Sequence, residues 1–363
     1  MKIKNLSLIA LAALALASCG NNAPAPVEAE PVKIEPGEQA PLADPGQKNF
    51  GGMATGAPRD TTGMAERMRR MREEMNKIRT VHFNDLSMSD PFIYPDPVTK
   101  TYYLTSSGGR QYRSKDLVMW EGPYNVIDLT GTWSDHSDLI QQVPRRYNVP
   151  HNQTYLLRAD NPEGPFVPFS VTPGYDYQPH DWDCIDGTLY EEDGHIYMIF
   201  VHEWTQIIDG TMDYIELSKD LTKTISEKPV TMFRASELPC CGEMNGLGEA
   251  TFGLKMPGWV TDGPQMFRTQ TGKLGMLWST WGKERYLQAV CYSESGKISG
   301  PWVQEPEPFL ANNSGHGMLF RTFEGELRYV VHHVEGNGPR KPQYWTVDDS
   351  GDKLVLGKQI IVP

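Results

Sequence analysis

The sequence predicts an all-β fold, a five-bladed β-propeller preceded by an N-terminal signal peptide, a flexible tether and a short helix. Three observations carry this. A strand-turn-strand unit headed by Asp or His recurs along the chain. A second kind of hairpin alternates with it. Gly and Pro are abundant, at 34 and 28 of 363 residues, as many short strands and tight turns require.

Lys2 and Lys4 precede an apolar run from Leu6 to Ala17, and Leu16-Ala17-Ser18-Cys19 has the form of a lipobox. Such a run is too short for a mature spanning helix and reads as a cleaved signal over residues 1–18. Cys19 then becomes the lipidated first residue, and the protein is expected to be exported and anchored in the outer membrane, on its periplasmic or cell-surface side. Residues 19–63 are rich in Pro, Ala, Gly and Glu without apolar periodicity, which describes a flexible tether. Residues 64–83 are a helix and lead-in. Met64, Met68, Met71 and Met75 fall on one helical stripe, expected to pack against the domain.

The propeller is expected over 84–363. Its inner hairpins begin at Asp90, Asp186, Asp262 and His316, each followed closely by Pro or Gly, then an apolar strand, a polar turn and a second apolar strand. Outer hairpins begin at Tyr112, Leu157, Ile215, Cys291 and Tyr344. Two hairpins make a four-stranded blade, and the segment suits five blades of about 40–50 residues plus loops. One inner hairpin is missing. It belongs between Glu121 and Leu157, where strand signals are weak.

The first strand of each propeller blade lines the central channel, so the four heads are read as equivalent positions that converge. Converging carboxylates repel, and at least one should have a raised pKa. One ionised and one protonated carboxyl is what glycoside hydrolysis needs, and inverting enzymes hold the pair roughly 6.5–9.5 Å apart. Any one Asp-Pro or Asp-Gly pair is more often a turn. Its recurrence at matching positions is what raises the chemical reading. Trp133, Trp182, Trp204, Trp281 and Tyr94 are available for stacking on sugars. His151, His180 and His202 are candidate ligands for a metal or a sugar, but each taken alone is more often a hydrogen-bonded loop or core residue. The spacing of Cys184, Cys240, Cys241 and Cys291 matches no zinc pattern, and no disulfide pairing follows from it. The net charge of −12 disfavours nucleic acid as a partner and permits neutral ligands.

The order Asp90-Pro-Phe-Ile, Ile185-Asp186-Gly, Asp262-Gly-Pro and Gly315-His316-Gly resembles glycoside hydrolase family 43, over roughly residues 85–345. The resemblance implies an inverting glycosidase of the α-L-arabinofuranosidase or β-xylosidase type, acting on an oligosaccharide or polysaccharide. It implies that Asp90 is the general base and that Asp186 tunes and orients its partner. The family's general acid is usually a Glu at the head of the fourth hairpin. Here that residue is Asp262, one methylene shorter, and Glu203 is a second candidate for the acid. His316 stands where the family has a central His near a water or a calcium ion. Trp204 and Trp281, with His316, are read as sugar-binding residues. No cofactor is required, although a structural calcium near His316 is permitted, and a monomer is expected. Two other readings stay open: a non-catalytic glycan-binding lipoprotein on a decayed hydrolase scaffold, and a related propeller enzyme acting on fructans or algal sugars.

Overall fold

The computed structural model describes residues 61–107, 109–128, 154–168, 177–179, 181–243 and 258–363. The chain divides into two units, a short one over 20–77 and a large one that contains everything from 78 onward. The short unit carries a helix, Thr61–Met75. Arg69 pairs with Glu66 and Glu73 along it. Met71 and Met75 are 56% and 52% exposed. No described helix is long and apolar enough to cross a membrane.

The large unit is built from antiparallel sheets. The first holds β1 (Arg79–His82), β2 (Phe92–Asp96), β3 (Thr101–Thr105), β4 (Arg110–Ser114) and β5 (Met119–Asn125), in the order β1-β5-β4-β3-β2. The propeller therefore starts at Arg79, inside the segment expected as lead-in, because β1 pairs with the outer edge of β5. A two-stranded ladder follows, β6 (Leu157–Arg158) with β7 (Val167–Pro168). The second full sheet contains β8 (Cys184–Glu192), β9 (His195–His202), β10 (Thr211–Leu217) and β11 (Val230–Arg234). The third contains β12 (Asp262–Arg268), β13 (Leu274–Trp281), β14 (Tyr286–Ser293) and β15 (Trp302–Gln304). The fourth contains β16 (Ser314–Arg321), β17 (Leu327–Val334), β18 (Arg340–Asp348) and β19 (Val355–Ile360).

The expectation of five blades is corrected here: the described residues form four full sheets. The β6–β7 ladder is the outer hairpin expected from Leu157. The stretch that should supply its inner partner, with Trp133 and His151, lies outside the described residues at 129–153. The inner strands follow one another around the axis, β8 beside β12, β12 beside β16, and β16 beside β2.

The core lies between sheets rather than along the axis. One cluster joins the second and third sheets through Ile199, Val201, Met212, Phe233, Met276 and Trp278. Another joins the third and fourth through Leu277, Val290, Leu319, Tyr329 and Val331. A third joins the fourth and first through Ile93, Leu104, Trp120, Phe320 and Tyr344. A strand covered on both faces cannot alternate apolar with polar, so β9 and β13 read as near-continuous buried runs. The outer turns repeat as well. Ser114-Lys-Asp-Leu117 and Ser218-Lys-Asp-Leu221 both end on a leucine in the left-handed region, at φ 63° and 58°. In the first, Ser114 Oγ accepts from the Leu117 N–H, and Asp116 accepts from the N–H groups of Val118 and Met119. Cys184, Cys240, Cys241 and Cys291 are free thiols.

Candidate active site

The heads of the inner strands share a backbone device. Asp90, Asp186, Gly263 and His316 all adopt left-handed φ, at 54°, 58°, 49° and 51°. In the three later sheets the ladder skips two residues here, between Ile185 and Thr188, Asp262 and Gln265, and Gly315 and Met318. A left-handed non-glycine residue costs about 1–2 kcal/mol, so three of them persist only because their surroundings determine them.

This register corrects the expected equivalence. Asp90, Asp186 and His316 match one another, but their partner in the third sheet is Gly263, not Asp262. Asp262 stands one residue earlier, opposite Ser279. The cause is steric. A Cβ at Gly263 would lie 2.7–2.9 Å from atoms of the His316 imidazole. The ring occupies that space, so the head in the third sheet carries no side chain and the carboxyl is displaced to the neighbouring residue.

The side chains then converge. His316 Nδ1 lies 3.3 Å from Asp90 Oδ1 and 3.7 Å from Asp186 Oδ2. The Gly263 N–H donates to Asp186 Oδ2 at 2.9 Å. Asp90 Oδ2 accepts from the Ser107 hydroxyl. His332 Nδ1 lies 3.3 Å from Asp90 Oδ1 and 3.2 Å from the Asp90 backbone N. The Tyr286 hydroxyl donates to Asp262 Oδ2 at 2.8 Å. Behind His316, Ser279 Oγ accepts the His316 N–H at 2.6 Å, and Gln288 Oε1 accepts the Gly317 N–H at 2.9 Å. Gln288 Oε1 also accepts from the Tyr329 and Ser279 hydroxyls, so a fully buried cluster pins the left-handed turn.

These neighbours set the charges. Burial works to raise the Asp90 pKa, but the His316 charge, His332 and Ser107 outweigh it and hold the carboxyl well below the usual range. Burial opposes charge on His316, yet Asp90, Asp186 and Asp262 together push it up to about 9. Asp186 is raised by burial and by the charge of Asp90. Burial, then Asp186, push Asp262 up to about 7 against the pull of His316 and Tyr286. Glu203 is raised well above its ordinary value by burial and by Asp262, Asp186 and Asp183.

The structure thus brings together Asp90, Asp186, Asp262, His316 and Glu203. Glu203 sits just beyond β9, its N–H on Asp183 O, at the start of the short helix Trp204–Ile207. Trp204 does not offer the open face expected of it. It is only 6% exposed, and a Cβ at Gly258 would lie 2.2 Å from its ring. Trp281 is half-buried at the end of β13, 5.4 Å from the Tyr286 ring. Trp182 stacks on His202 at 4.0 Å, and His202 Nε2 is bonded to Gln206, which makes that histidine structural as expected. His180 lies outside the described residues. Ser107, Tyr286, Gln288 and His332 were not foreseen. Only the His-His pair ending β17 carried a signal, since the end of the second strand faces the head of the first.

A cavity of about 470 Å³, counting its open mouth, lies at the heads and is lined by Asp90, Asp186, Thr188, Gln265, His316 and Met318 among others. A calcium ion there would need free donors. His316 Nδ1 is turned toward two carboxylates, while both ends of the Gln265 amide are bonded to Leu319. No group of three or more metal-ligating side chains occurs among the described residues. The residues present do not fit a directly held metal.

None of the curated proteins matches this chain. Among solved structures, an endo-arabinase from Bacteroides thetaiotaomicron VPI-5482 is similar at 32% identity and TM-score 0.62, over 73% of this chain and 95% of that one. An endo-1,4-beta-xylanase from the same organism shares the fold at 18% identity and TM-score 0.56, over 79% and 99% of the two chains. An alpha-L-arabinofuranosidase from Lactobacillus brevis does so at 17% and 0.51, over 78% and 99%. The profile of the glycosyl hydrolases family 43 matches residues 84–349, nearly the whole span of the sheets, and the chain belongs to that family.

Proposed function

We propose that the protein is an inverting glycoside hydrolase that cleaves arabinofuranosyl or xylosyl linkages in the side chains of plant-type polysaccharides. One observation carries this: two carboxyls around a single imidazolium are pushed in opposite directions, Asp90 toward the ionised form and Asp262 toward the protonated one. Asp90 takes a proton from water as the water oxygen bonds to the anomeric carbon. The bond from that carbon to the leaving oxygen breaks, and Asp262 gives its proton to that oxygen. Asp90 then returns its proton to solvent and Asp262 takes one up. Asp186 keeps His316 charged and raises Asp262.

Asp262 is preferred to Glu203 as the acid. It heads β12, the inner strand of the third sheet, and proton transfer is most efficient when the donor's pKa lies near the working pH, as the value of about 7 for Asp262 does. Similarity to an enzyme named an endo-arabinase favours arabinosyl over xylosyl linkages. The test follows the first-formed sugar by NMR during cleavage of an aryl arabinofuranoside. Inversion is expected, with turnover lost in Asp90→Asn by about 10²–10⁴-fold. A retained anomer would overturn the mechanism. Binding of oligosaccharide without turnover, unchanged in that variant, would instead mark a glycan-binding protein.

The leader supports a further part of the reading, that the enzyme is exported and held at the outer membrane by lipid on Cys19. Labelling with radioactive palmitate should be lost in Cys19→Ala, and a variant that still labels would exclude it.

A further inference from the structure

Tyr286 begins β14, a strand of the third sheet that does not line the axis. Its side chain nevertheless reaches the centre and is only 8% exposed. The hydroxyl donates to Asp262 Oδ2 at 2.8 Å. The ring lies parallel to that of His332, with centroids 5.8 Å apart and planes 8° apart. His332 in turn contacts Asp90 through Nδ1. Gly315 leaves the space for this ring, since a Cβ there would lie 2.2 Å from Tyr286 Cε1.

We propose that Tyr286 is a positioning residue that ties the two arms of the reaction together, aiming Asp262 with its hydroxyl and fixing His332 against Asp90 with its ring. The inference rests on the hydrolase reading above for the roles of those carboxyls. With Oδ2 engaged by the tyrosine, Oδ1 of Asp262 is the oxygen that carries the transferable proton. Burial and the nearby charge of Asp262 push the Tyr286 pKa well above its ordinary value, so the hydroxyl stays a donor throughout the working range. Asp90, Asp186, Glu203 and His316 also act on Asp262, and His332 faces the Tyr286 ring. The hydroxyl is the one feature that a Tyr-to-Phe change removes while leaving the ring.

Two substrates separate the arms. A p-nitrophenyl arabinofuranoside needs little protonation of its leaving group, whereas arabinobiose needs it in full. Tyr286→Phe should lower kcat on arabinobiose about tenfold or more and leave the aryl substrate within about twofold. Tyr286→Leu removes the ring as well and should lower both about tenfold. In parallel, the ¹³Cγ signal of Asp262, identified by its loss in Asp262→Asn, should titrate about one pH unit higher in Tyr286→Phe. Equal losses on both substrates with an unmoved Asp262 midpoint would overturn the proposal, and the Phe variant suffices for this if the Leu variant does not fold. A wild type inert on both substrates would count against the hydrolase reading alone. The carboxyl titration would still decide the tyrosine's role, a raised midpoint supporting it and an unmoved one overturning it.

Discussion

Asp90 and Asp262 feel the same imidazolium, yet their surroundings drive them apart. Asp90 has His316 and His332 against one oxygen and Ser107 on the other. Asp262 has one donor, Tyr286, and two neighbouring carboxylates. Both are half-buried, so burial alone would raise both. The number of donors and the sign of the nearest charges decide which becomes base and which acid. The division of labour therefore lies less in the two aspartates than in what the neighbouring strands and turns bring to them.

The comparison breaks most sharply at Asp262. Asp262→Asn removes the proton donor and keeps the volume. Cleavage of a sugar leaving group should fall about 10²-fold or more, while an aryl leaving group should lose far less. Parallel steady-state kinetics on the two substrates check this. If Glu203 were the acid, Glu203→Gln would show that split and Asp262→Asn would not. For the wild type, activity should fall as pH rises through about 7, where Asp262 loses its proton. On the acid side Asp90 stays ionised well below the usual carboxylate range, so no matching loss is expected near pH 4.

Much of this arrangement was legible in the sequence, because heads recur in the chain wherever they converge in space. The misplaced equivalence shows where such reading stops. Asp186-Gly187 and Asp262-Gly263 look alike as letters, but the left-handed residue is the Asp in one and the Gly in the other. The His316 ring, distant in sequence, makes that choice. Tyr286 and Gln288 were hidden for another reason. They stand in a wholly buried strand, Tyr286–Ser293, where a polar residue among apolar ones gives no hint of which neighbouring strand it serves. The blade count erred where strand signals were weakest, between Glu121 and Leu157.

His316 sharpens the comparison through stability. Its folded pKa is about 9, against an ordinary 6.5. A group with a raised folded pKa stabilises fully below the unfolded value, and that stabilisation is lost as pH rises through the folded one. From this group alone, unfolding free energy should fall by up to about 3 kcal/mol between pH 6 and 10. Chemical denaturation at several pH values measures the slope. In His316→Asn the slope over that window should flatten. An unchanged slope would mean that the imidazole is neutral in the folded protein, and that Asp90 is held low by other groups.

The smallest effect is expected at Ser107, whose hydroxyl donates to Asp90 Oδ2 while His316 and His332 lie against Oδ1. Ser107→Ala leaves His316 and His332 in place, and these carry most of the electrostatic pull on the carboxylate. Loss of a single hydrogen bond to a charged group is worth about 1.5–3 kcal/mol in an isolated site, but here the charged His316 and the cavity's open mouth should absorb most of it. The Asp90 carboxyl should rise toward its ordinary value and remain ionised above pH 5. Turnover at pH 6 should then stay within about threefold of wild type, with KM unchanged. A loss as large as that in Asp90→Asn would mean that the serine orients the attacking water itself. The base arm would then depend on a single hydroxyl, as the acid arm depends on Tyr286, and the contrast between the two would disappear.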